Sequence, residues 1–478
     1  MRDLPEVFDI VAGERRAVSE ELSVNLEDPE NGEILAKSMG SSIEACDEVL
    51  ERAEDFHREG IFGSLDYRER AAYLEAIGKR LESKVDDIAR LDSFSTGVPI
   101  NQTTGLAKIV PGAFLAAAGH LKKTQDGVLS GVHGPVDVIR RPWGPALCIT
   151  PWNAPTPLAA HKVASSLAAG CPTILKPSEL TPFGPQLLAE GILEADLPVG
   201  AFQYLHGDRE VAQHLVNSPK VKAISLTGGL AAGQAVGSSC LKGMKPVQLE
   251  LGGHNPFVVL DDADLDLVAE GVLRGLTTLN GQWCRAIGRI FVQDKIFDRF
   301  LAAVGNRLSQ VAIGSPFDQE TDLGPLVHSR HLNHIRREMN RFRDLGATIL
   351  EFGSRADNAG HFVVPSLVLD CPLEQDHREI FGPVATVHRF MDDPEVLPHI
   401  HSTEYGLAAY VYSRDVSRAR HLAMRIEAGS IKINGVSLVG LHPEAPRSAW
   451  GISGYGEEGV RETFEFFQGT RTIGLAHS

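Results

Sequence analysis

The stretch ALCITPWNAP, Ala146–Pro155, begins the part of the sequence that determines the fold. It opens with an apolar run short enough for a buried strand. Similar runs follow at 172–176 (PTILK), 202–206 (FQYLH) and 222–228 (KAISLTG), and helix-like stretches separate them. The alternation resumes after residue 285 with GRIFVQD, ATVHRF and AAYVYS. Such alternation predicts βαβ units around a mainly parallel sheet, so we expect two successive α/β domains.

The sequence before this region predicts helices. In SSIEACDEVLERA, residues 41–53, Glu44 follows Ser41 by three positions. This spacing is typical of a capping box, in which the first residue caps the helix. We therefore expect a helix that begins directly after Ser41.

Length, charge and cysteine content restrict the class of protein. A chain of 478 residues with 43% hydrophobic and 23% charged residues is typical of a soluble protein with two or three domains. The net charge of −16 argues against nucleic-acid binding, and no apolar run reaches the ~20 residues of a membrane span. The start, MRDLPEVFDI, lacks a secretion signal, and the six cysteines form no CxxC or CxxH pair. We expect a cytoplasmic protein with free thiols, no metal site, and no membrane or nucleic-acid partner.

Four polar clusters follow the predicted strands between residues 146 and 252. Their key residues are Asn153 in CITPWNAP, Lys176 and Glu179 in LKPSELTP, Gly228, Gly229 and Gly233 in SLTGGLAAGQAV, and Glu250 in QLELGGHNP. The carboxyl ends of parallel strands are the usual ligand sites of open α/β sheets. Each cluster also has a plainer interpretation, such as a turn asparagine or a solvated ion pair. Glu250 stands out, because a carboxylate in an apolar strand is costly to bury unless it is used or paired.

Cys284, in NGQWCRAIGR, allows two interpretations. Unpaired cysteine is often simply buried, whereas a cysteine held at a bend between two domains could act as a nucleophile. The residues around Cys284 do not decide between them.

Taken together, the motifs resemble the aldehyde dehydrogenase superfamily in order and spacing. The matching segments are PWN (151–153), KPSE (176–179), ELGG (250–253), GQWC (281–284), EIFGPV (379–384) and YGLAA (405–409). The resemblance implies that Cys284 attacks the aldehyde carbon and that the Asn153 amide stabilises the oxyanion. It further implies that Glu250 activates the water that hydrolyses a thioester.

The resemblance also implies a nicotinamide cofactor. The implied cofactor-binding residues are Thr150, Trp152, Lys176, Glu179, Gly228, Gly229, Gly233, Leu251, Glu379 and Phe381. Lys176 and Glu179 match residues that hold the adenosine ribose, and Glu379 matches the carboxylate on the nicotinamide ribose. The Glu179 carboxylate would repel a 2′-phosphate, so NAD is expected rather than NADP.

Several positions depart from the family pattern. Gly229 stands in place of a serine near the cofactor pyrophosphate, and His254 in place of a lysine. The implied substrate-lining residues are Ala154, His161, Trp283 and Arg447. Arg447 stands where the family usually has an aromatic residue. We expect its guanidinium either to recognise an anionic substrate group or to form an ion pair with Glu444, Glu457 or Glu458. The lining favours an aromatic, bulky or polar aldehyde.

The fold implied by the resemblance is an α/β fold of three parts. A Rossmann-like NAD-binding domain covers 1–122 and 144–252, an α/β catalytic domain covers 253–443, and a small β oligomerisation element covers 123–143 and 464–478. Its exposed strand edges suggest a homodimer, or a tetramer built from dimers. Two alternatives stay open, namely a CoA-acylating semialdehyde dehydrogenase, against which Glu250 counts, and a non-catalytic binding protein of the same fold.

Overall fold

The computed structural model describes residues 4–353, 359–438 and 440–476. Its strands are β1 (Phe8–Val11), β2 (Glu14–Ala17), β3 (Glu20–Glu27), β4 (Ile34–Gly40), β5 (Gly127–Gly131), β6 (Gly134–Pro142), β7 (Ala146–Ile149), β8 (Thr173–Lys176), β9 (Phe202–Tyr204), β10 (Ala223–Thr227), β11 (Val247–Glu250), β12 (Asn255–Val259), β13 (Ile287–Gln293), β14 (Thr348–Glu351), β15 (Ser366–Leu369), β16 (Val384–Phe390), β17 (Tyr405–Gly406), β18 (Ala408–Tyr412), β19 (Ser430–Ile433), β20 (Arg447–Ser448), β21 (Trp450–Gly451), β22 (Gly454–Tyr455), β23 (Glu457–Glu458) and β24 (Gln468–Gly474).

The helices surround these strands. They are α1 (Ile43–Glu59), α2 (Tyr67–Glu82), α3 (Val85–Thr96), α4 (Ile100–Ala107), α5 (Ile109–Leu121), α6 (Pro155–Ala169), α7 (Phe183–Leu193), α8 (Arg209–Asn217), α9 (Leu230–Lys242), α10 (Leu265–Thr277), α11 (Phe297–Leu308), α12 (Ser329–Asp344), α13 (Asp393–Ile400), α14 (Val416–Ala423) and α15 (Val460–Phe466). Within the described ranges, none of them is both long and apolar enough to span a membrane.

Two large sheets organise the chain. The first has the order β2-β1-β9-β8-β7-β10-β11-β22, and its five strands from β9 to β11 run parallel. The second has the order β14-β15-β16-β13-β12-β18-β19 and is parallel except for β14. Each sheet has an apolar core on both faces, because helices cover both sides. The predicted α/β fold with a Rossmann-like sheet is confirmed.

A third sheet joins segments that are distant in sequence. The hairpin β5–β6 pairs with the last strand, β24, in antiparallel fashion. The terminal strand begins at Gln468, since α15 continues to Phe466 and packs against α5 and α6. The terminal part of this element is therefore shorter than the predicted range 464–478.

The first helix begins one residue later than predicted. Ser42 is its N-cap and accepts a hydrogen bond from the Ala45 N–H. Ser41 is unavailable because its hydroxyl donates to Asp9 and to the His206 carbonyl, each at 2.8 Å. A tertiary contact thus overrides the local capping pattern.

Candidate active site

The candidate site lies at the carboxyl ends of the parallel strands of the first sheet. The strand order reverses between β7 and β10, and open α/β sheets bind ligands at such a point. Thr150 and Asn153 follow β7, Gly228 and Gly229 follow β10, and Glu250 ends β11. Neighbouring strands therefore bring these five predicted residues to one edge of the sheet.

The loop that carries Cys284 runs from α10 to β13 through an unusual backbone. Leu279, Asn280 and Gly281 all have positive φ, at 49°, 58° and 73°. Non-glycine residues seldom adopt this conformation. Asn280 is held in it because its side-chain amide donates to the carbonyls of Gly97 (2.9 Å) and Pro325 (2.8 Å). The loop is strained but firmly fixed.

Gly281 lets two of the sequence motifs pack against each other. A Cβ atom at this position would collide with the backbone of residues 382–383, which belong to EIFGPV. Its positive φ also favours glycine. The glycine of GQWC is therefore needed so that the loop can lie directly on the second motif.

Two asparagines position the backbone around the thiol. The Asn255 amide donates to the carbonyls of Cys284 (2.9 Å) and Ala286 (2.7 Å). The Asn153 amide donates to the carbonyl of Gln282 at 2.8 Å. Asn153 is thus anchored beside the loop and keeps its second N–H for another acceptor. The sequence interpretation missed Asn255, although it immediately follows ELGGH.

Cys284 is the one partly exposed cysteine among the six. Burial within the cleft raises the pKa of its thiol to about 12. The positive charge of Arg285 opposes this rise, whereas the carboxylates of Glu250, Glu379 and Glu458 add to it. The thiol therefore shares one electrostatic environment with three acidic side chains.

Glu250 has the properties of a poised base. Its side chain is 6% exposed, and its Oε1 has no hydrogen-bond partner among the described residues. Burial and then the negative charge of Glu458 raise its pKa, while the cations Arg285, Lys162 and Arg447 act in the opposite direction. A buried carboxyl group with a raised pKa and a free oxygen is suited to accept a proton near neutral pH.

A buried network behind Glu250 was not predicted from the sequence. The Lys162 ammonium on α6 is fully buried and donates to Glu458 at 2.7 Å and to Ser225 at 2.8 Å. Ser225 in turn donates to Gln248 on β11 at 2.7 Å. Burial alone would raise the pKa of Glu458, but Lys162, His161 and Arg447 together outweigh this effect and lower that pKa. A stable buried negative charge thus lies close to Glu250.

Arg447 forms the predicted ion pair. Strands β20 and β23 pair in a register that sets Arg447 opposite Glu458, and the two side chains are 3.7 Å apart. Of the two predicted roles, the structure favours the ion pair over recognition of an anionic substrate group.

The other three predicted substrate residues lie in different surroundings. His161 lies 3.2 Å from the Thr463 hydroxyl, and burial lowers the pKa of its imidazole to about 4. Trp283 is 1% exposed and donates to the Gly275 carbonyl at 3.2 Å. Trp283 belongs to the apolar core of the second sheet. Ala154 caps α6 directly after Asn153.

The predicted cofactor residues surround a region beside β8 and β10. Lys176 and Glu179 form an ion pair at 3.8 Å. Burial lowers the pKa of Lys176, and the charge of Glu179 opposes this effect. The Ser38 hydroxyl donates to the Glu179 carbonyl at 2.8 Å and fixes this turn.

The start of α9 offers space and donors for a phosphate group. Gly229 begins this 13-residue helix, and a Cβ atom there would meet no heavy atom within 4 Å. Thr150 and Thr227 each have a buried hydroxyl without a partner among the described residues. Gly233 is needed in the first turn, because a Cβ atom there would clash with Leu251. These unpaired groups and the open helix start fit a dinucleotide.

On the opposite side, Glu379 and Phe381 face the cleft. Burial raises the pKa of Glu379 to about 8, and its Oε1 accepts from the Gly253 N–H at 3.0 Å. The Phe381 ring meets Trp152 edge-on with 5.3 Å between ring centroids. The structure thus places Phe381 in contact with Trp152, another predicted cofactor residue.

His254, which stands where the family usually has a lysine, has an acidic partner. His254 is buried beside Asp376 at 2.9 Å, and Asp376 also contacts His388 at 2.8 Å. Burial alone would raise the pKa of Asp376, but His254 and His388 hold it well below its usual range. This cluster stabilises the second sheet next to the Cys284 loop.

Comparison with known proteins agrees with this geometry. The model of the aldehyde dehydrogenase family matches residues 17–473. The chain is 32% identical to succinate-semialdehyde dehydrogenase (NADP+) of Escherichia coli K12, over 93% of this chain and 92% of that protein. It is also 32% identical to betaine aldehyde dehydrogenase of Vibrio vulnificus YJ016, with the same coverage. The crystal structure of betaine aldehyde dehydrogenase from Staphylococcus aureus in complex with NAD+ superposes with a TM-score of 0.93 at 28% identity, covering 98% of this chain and 94% of that one.

The chain therefore belongs to the aldehyde dehydrogenase family. It is an oxidoreductase that acts on aldehydes with a nicotinamide cofactor.

Proposed function

We propose that the protein oxidises an aldehyde to the carboxylic acid through a thioester on Cys284. The supporting observation is that Cys284 and Glu250, whose Oε1 is unpaired, lie close enough for the charge on Glu250 to raise the thiol pKa. A bound nicotinamide would supply the hydride acceptor. Thr150, Lys176, Glu179, Gly229, Glu379 and Phe381 would hold that cofactor.

Cys284, Asn153 and Glu250 each have a separate role in this reaction. The Cys284 thiol gives its proton to Glu250, and the sulfur forms a bond to the aldehyde carbon, while the second N–H of Asn153 stabilises the resulting oxyanion. Glu250 releases that proton to solvent before the hydrolysis step. After loss of the hydride, the acyl group remains on sulfur. Glu250 then takes a proton from water, the new C–O bond forms, and the C–S bond breaks. The raised pKa of Glu250 suits both uptake and release of that proton.

The variant Glu250→Gln tests this mechanism in a stopped-flow experiment with NAD and a panel of reactive aldehydes. We expect a burst of about one NADH per active subunit, followed by turnover slowed by ~10²- to 10⁴-fold, since general-base catalysis contributes about that much. The control Cys284→Ala should show no burst. Unslowed turnover in Glu250→Gln would contradict the assignment, and acyl-CoA formation on addition of CoA would favour the acylating alternative.

We also propose that NAD is preferred over NADP. The Glu179 carboxylate, paired with Lys176, supports this proposal because it would repel a 2′-phosphate. The Escherichia coli relative is named for NADP+, whereas the Staphylococcus aureus structure contains NAD+. The ratio of kcat/KM for the two cofactors should exceed one and fall in Glu179→Gln. A ratio below one, or one unchanged by the substitution, would contradict it.

We further propose that the third sheet mediates assembly into a homodimer or a tetramer of dimers. Strand β5 is exposed throughout, and Val128, Leu129 and Ile473 are apolar side chains left on this surface. Light scattering of Val128→Asp/Leu129→Asp should show a smaller species than the unmodified protein. An unmodified protein that is monomeric would contradict the proposal.

A further inference from the structure

Arg285 is held at a fixed position next to the thiol. It follows Cys284 directly, and its carbonyl accepts a hydrogen bond from the Tyr410 hydroxyl at 2.7 Å. The carbonyls on either side, of Cys284 and Ala286, are both bound by the Asn255 amide. Three consecutive carbonyls are therefore fixed, so the Arg285 side chain starts from a rigid backbone beside the reacting sulfur.

The Arg285 guanidinium has no partner among the residues that the structure describes. The side chain is only partly exposed, yet across the described ranges it forms no hydrogen bond or ion pair. The two other cations near Glu250, Lys162 and Arg447, differ from Arg285 because each of them pairs with Glu458. A guanidinium has five N–H donors, and those of Arg285 have no acceptor among the described residues, so they are available to a ligand. The position therefore suits an external anion.

A second cation lies on the same side. Lys432, near the end of β19, is 8% exposed, and its ammonium donates to the carbonyl (2.6 Å) and hydroxyl (3.0 Å) of Ser437. Burial and then the charge of Arg285 lower the pKa of Lys432 to about 8. Two cations thus repel each other beside the thiol, and a bound carboxylate would relieve that repulsion.

We propose that Arg285 binds a carboxylate group on the aldehyde substrate, so that the preferred substrates are short oxo acids. The inference rests on the proposed function, since the aldehyde end must reach Cys284. Arg285, rather than Arg447, is then the residue that determines specificity for an anionic substrate group. A guanidinium matches a carboxylate in a two-point hydrogen-bonded geometry.

The test compares two aldehydes of equal chain length, 4-oxobutanoate and butanal, with Arg285→Met and Arg285→Lys. For Arg285→Met we expect kcat/KM for 4-oxobutanoate to fall about 10- to 100-fold, mainly through KM, because a charge-assisted hydrogen bond is lost. For butanal the change should stay below about threefold. Arg285→Lys, which keeps the charge, should recover part of the loss. The unmodified protein should prefer the oxo acid.

A matched control and a binding measurement separate the possible failures. Arg447→Met removes a guanidinium that is already paired, so it should affect both aldehydes in the same proportion. Succinate, the product of 4-oxobutanoate oxidation, should raise the Tm of the unmodified protein and not that of Arg285→Met.

Each contrary result has a distinct meaning. If Arg285→Met lowers kcat/KM equally for both aldehydes, Arg285 acts on thiol reactivity and the inference is overturned. Preference for butanal by the unmodified protein also overturns it and leaves the proposed function intact. If neither aldehyde yields NADH while succinate still binds through Arg285, the proposed function fails and the anion site stands.

Discussion

The charge of Glu458 should control the pH at which Glu250 becomes active. Glu458 lies buried with Lys162 at 2.7 Å, and its negative charge raises the pKa of Glu250. Replacing it by glutamine keeps the shape and an oxygen that can accept from Lys162. The substitution removes the negative charge and leaves the Lys162 cation uncompensated. Both changes favour ionised Glu250, so its pKa should fall in Glu458→Gln.

The size of the shift follows from Coulomb's law. Any two unit charges about 8 Å apart interact with about 2 kcal/mol at an effective dielectric constant of about 20, and we take this value for two buried side chains that are not hydrogen-bonded. Since one pKa unit corresponds to about 1.4 kcal/mol, the expected fall is roughly one to two pKa units. The uncompensated Lys162 cation adds in the same direction.

The assay is the pH dependence of kcat for an aldehyde that shows an NADH burst, since hydrolysis then limits turnover. The acidic limb of the profile should move down by roughly one to two pH units in Glu458→Gln. Glu457→Gln is the matched control, because Glu457 is the next residue on β23 and accepts from the Ser448 hydroxyl at the surface. The control should leave the limb in place. A limb that is unmoved or moves upward in Glu458→Gln, with the fold intact by circular dichroism, would refute the electrostatic argument.

Three further predictions concern the loop and the core. Asn255→Ala should slow the NADH burst at least tenfold with NAD affinity retained, because it releases the backbone around Cys284; an unchanged burst rate contradicts this. Gly281→Ala should abolish the burst or prevent folding, because a Cβ atom there meets backbone and φ is 73°; wild-type activity would show that the loop can shift. Burial lowers the pKa of His206, bound to Gln186, to about 3, so the folded state excludes a proton that the unfolded state binds below pH ~6.5. Stability should therefore fall as the pH drops from 6.5 toward 3, and His206→Gln should make Tm less dependent on pH in that range; an equal slope would contradict the assignment.

Local patterns predicted the parts of this molecule that are encoded within a few residues. The βαβ alternation predicted the two parallel sheets, and contiguous motifs located Asn153, Glu250 and Cys284 at strand ends and turns. The first helix start was misplaced by one residue, because Ser41 is used by Asp9 and the His206 carbonyl. The surroundings of Trp283 could not be predicted, because the orientation of a loop residue depends on the strained backbone that precedes it.

Contacts between distant segments could not be predicted in the same way. Lys162 lies in α6 and resembles any other helical lysine, while Glu458 lies 296 positions later in the chain. Neither has a local signal, and the pair forms only because α15 and β23 bring the end of the chain back onto α6. Its effect on Glu250 therefore needed the tertiary structure.

The same reasoning distinguishes the two arginines of the site. Arg447 and Arg285 are both near the site, and their identity alone does not rank them. The register of β20 with β23 gives Arg447 a carboxylate partner, whereas the rigid backbone after Cys284 gives Arg285 none among the described residues. A paired cation has little charge left to offer a ligand, and an unpaired, partly buried one gains most from binding it. The preference of this site for a charged aldehyde is therefore decided by which cation the fold leaves without a partner.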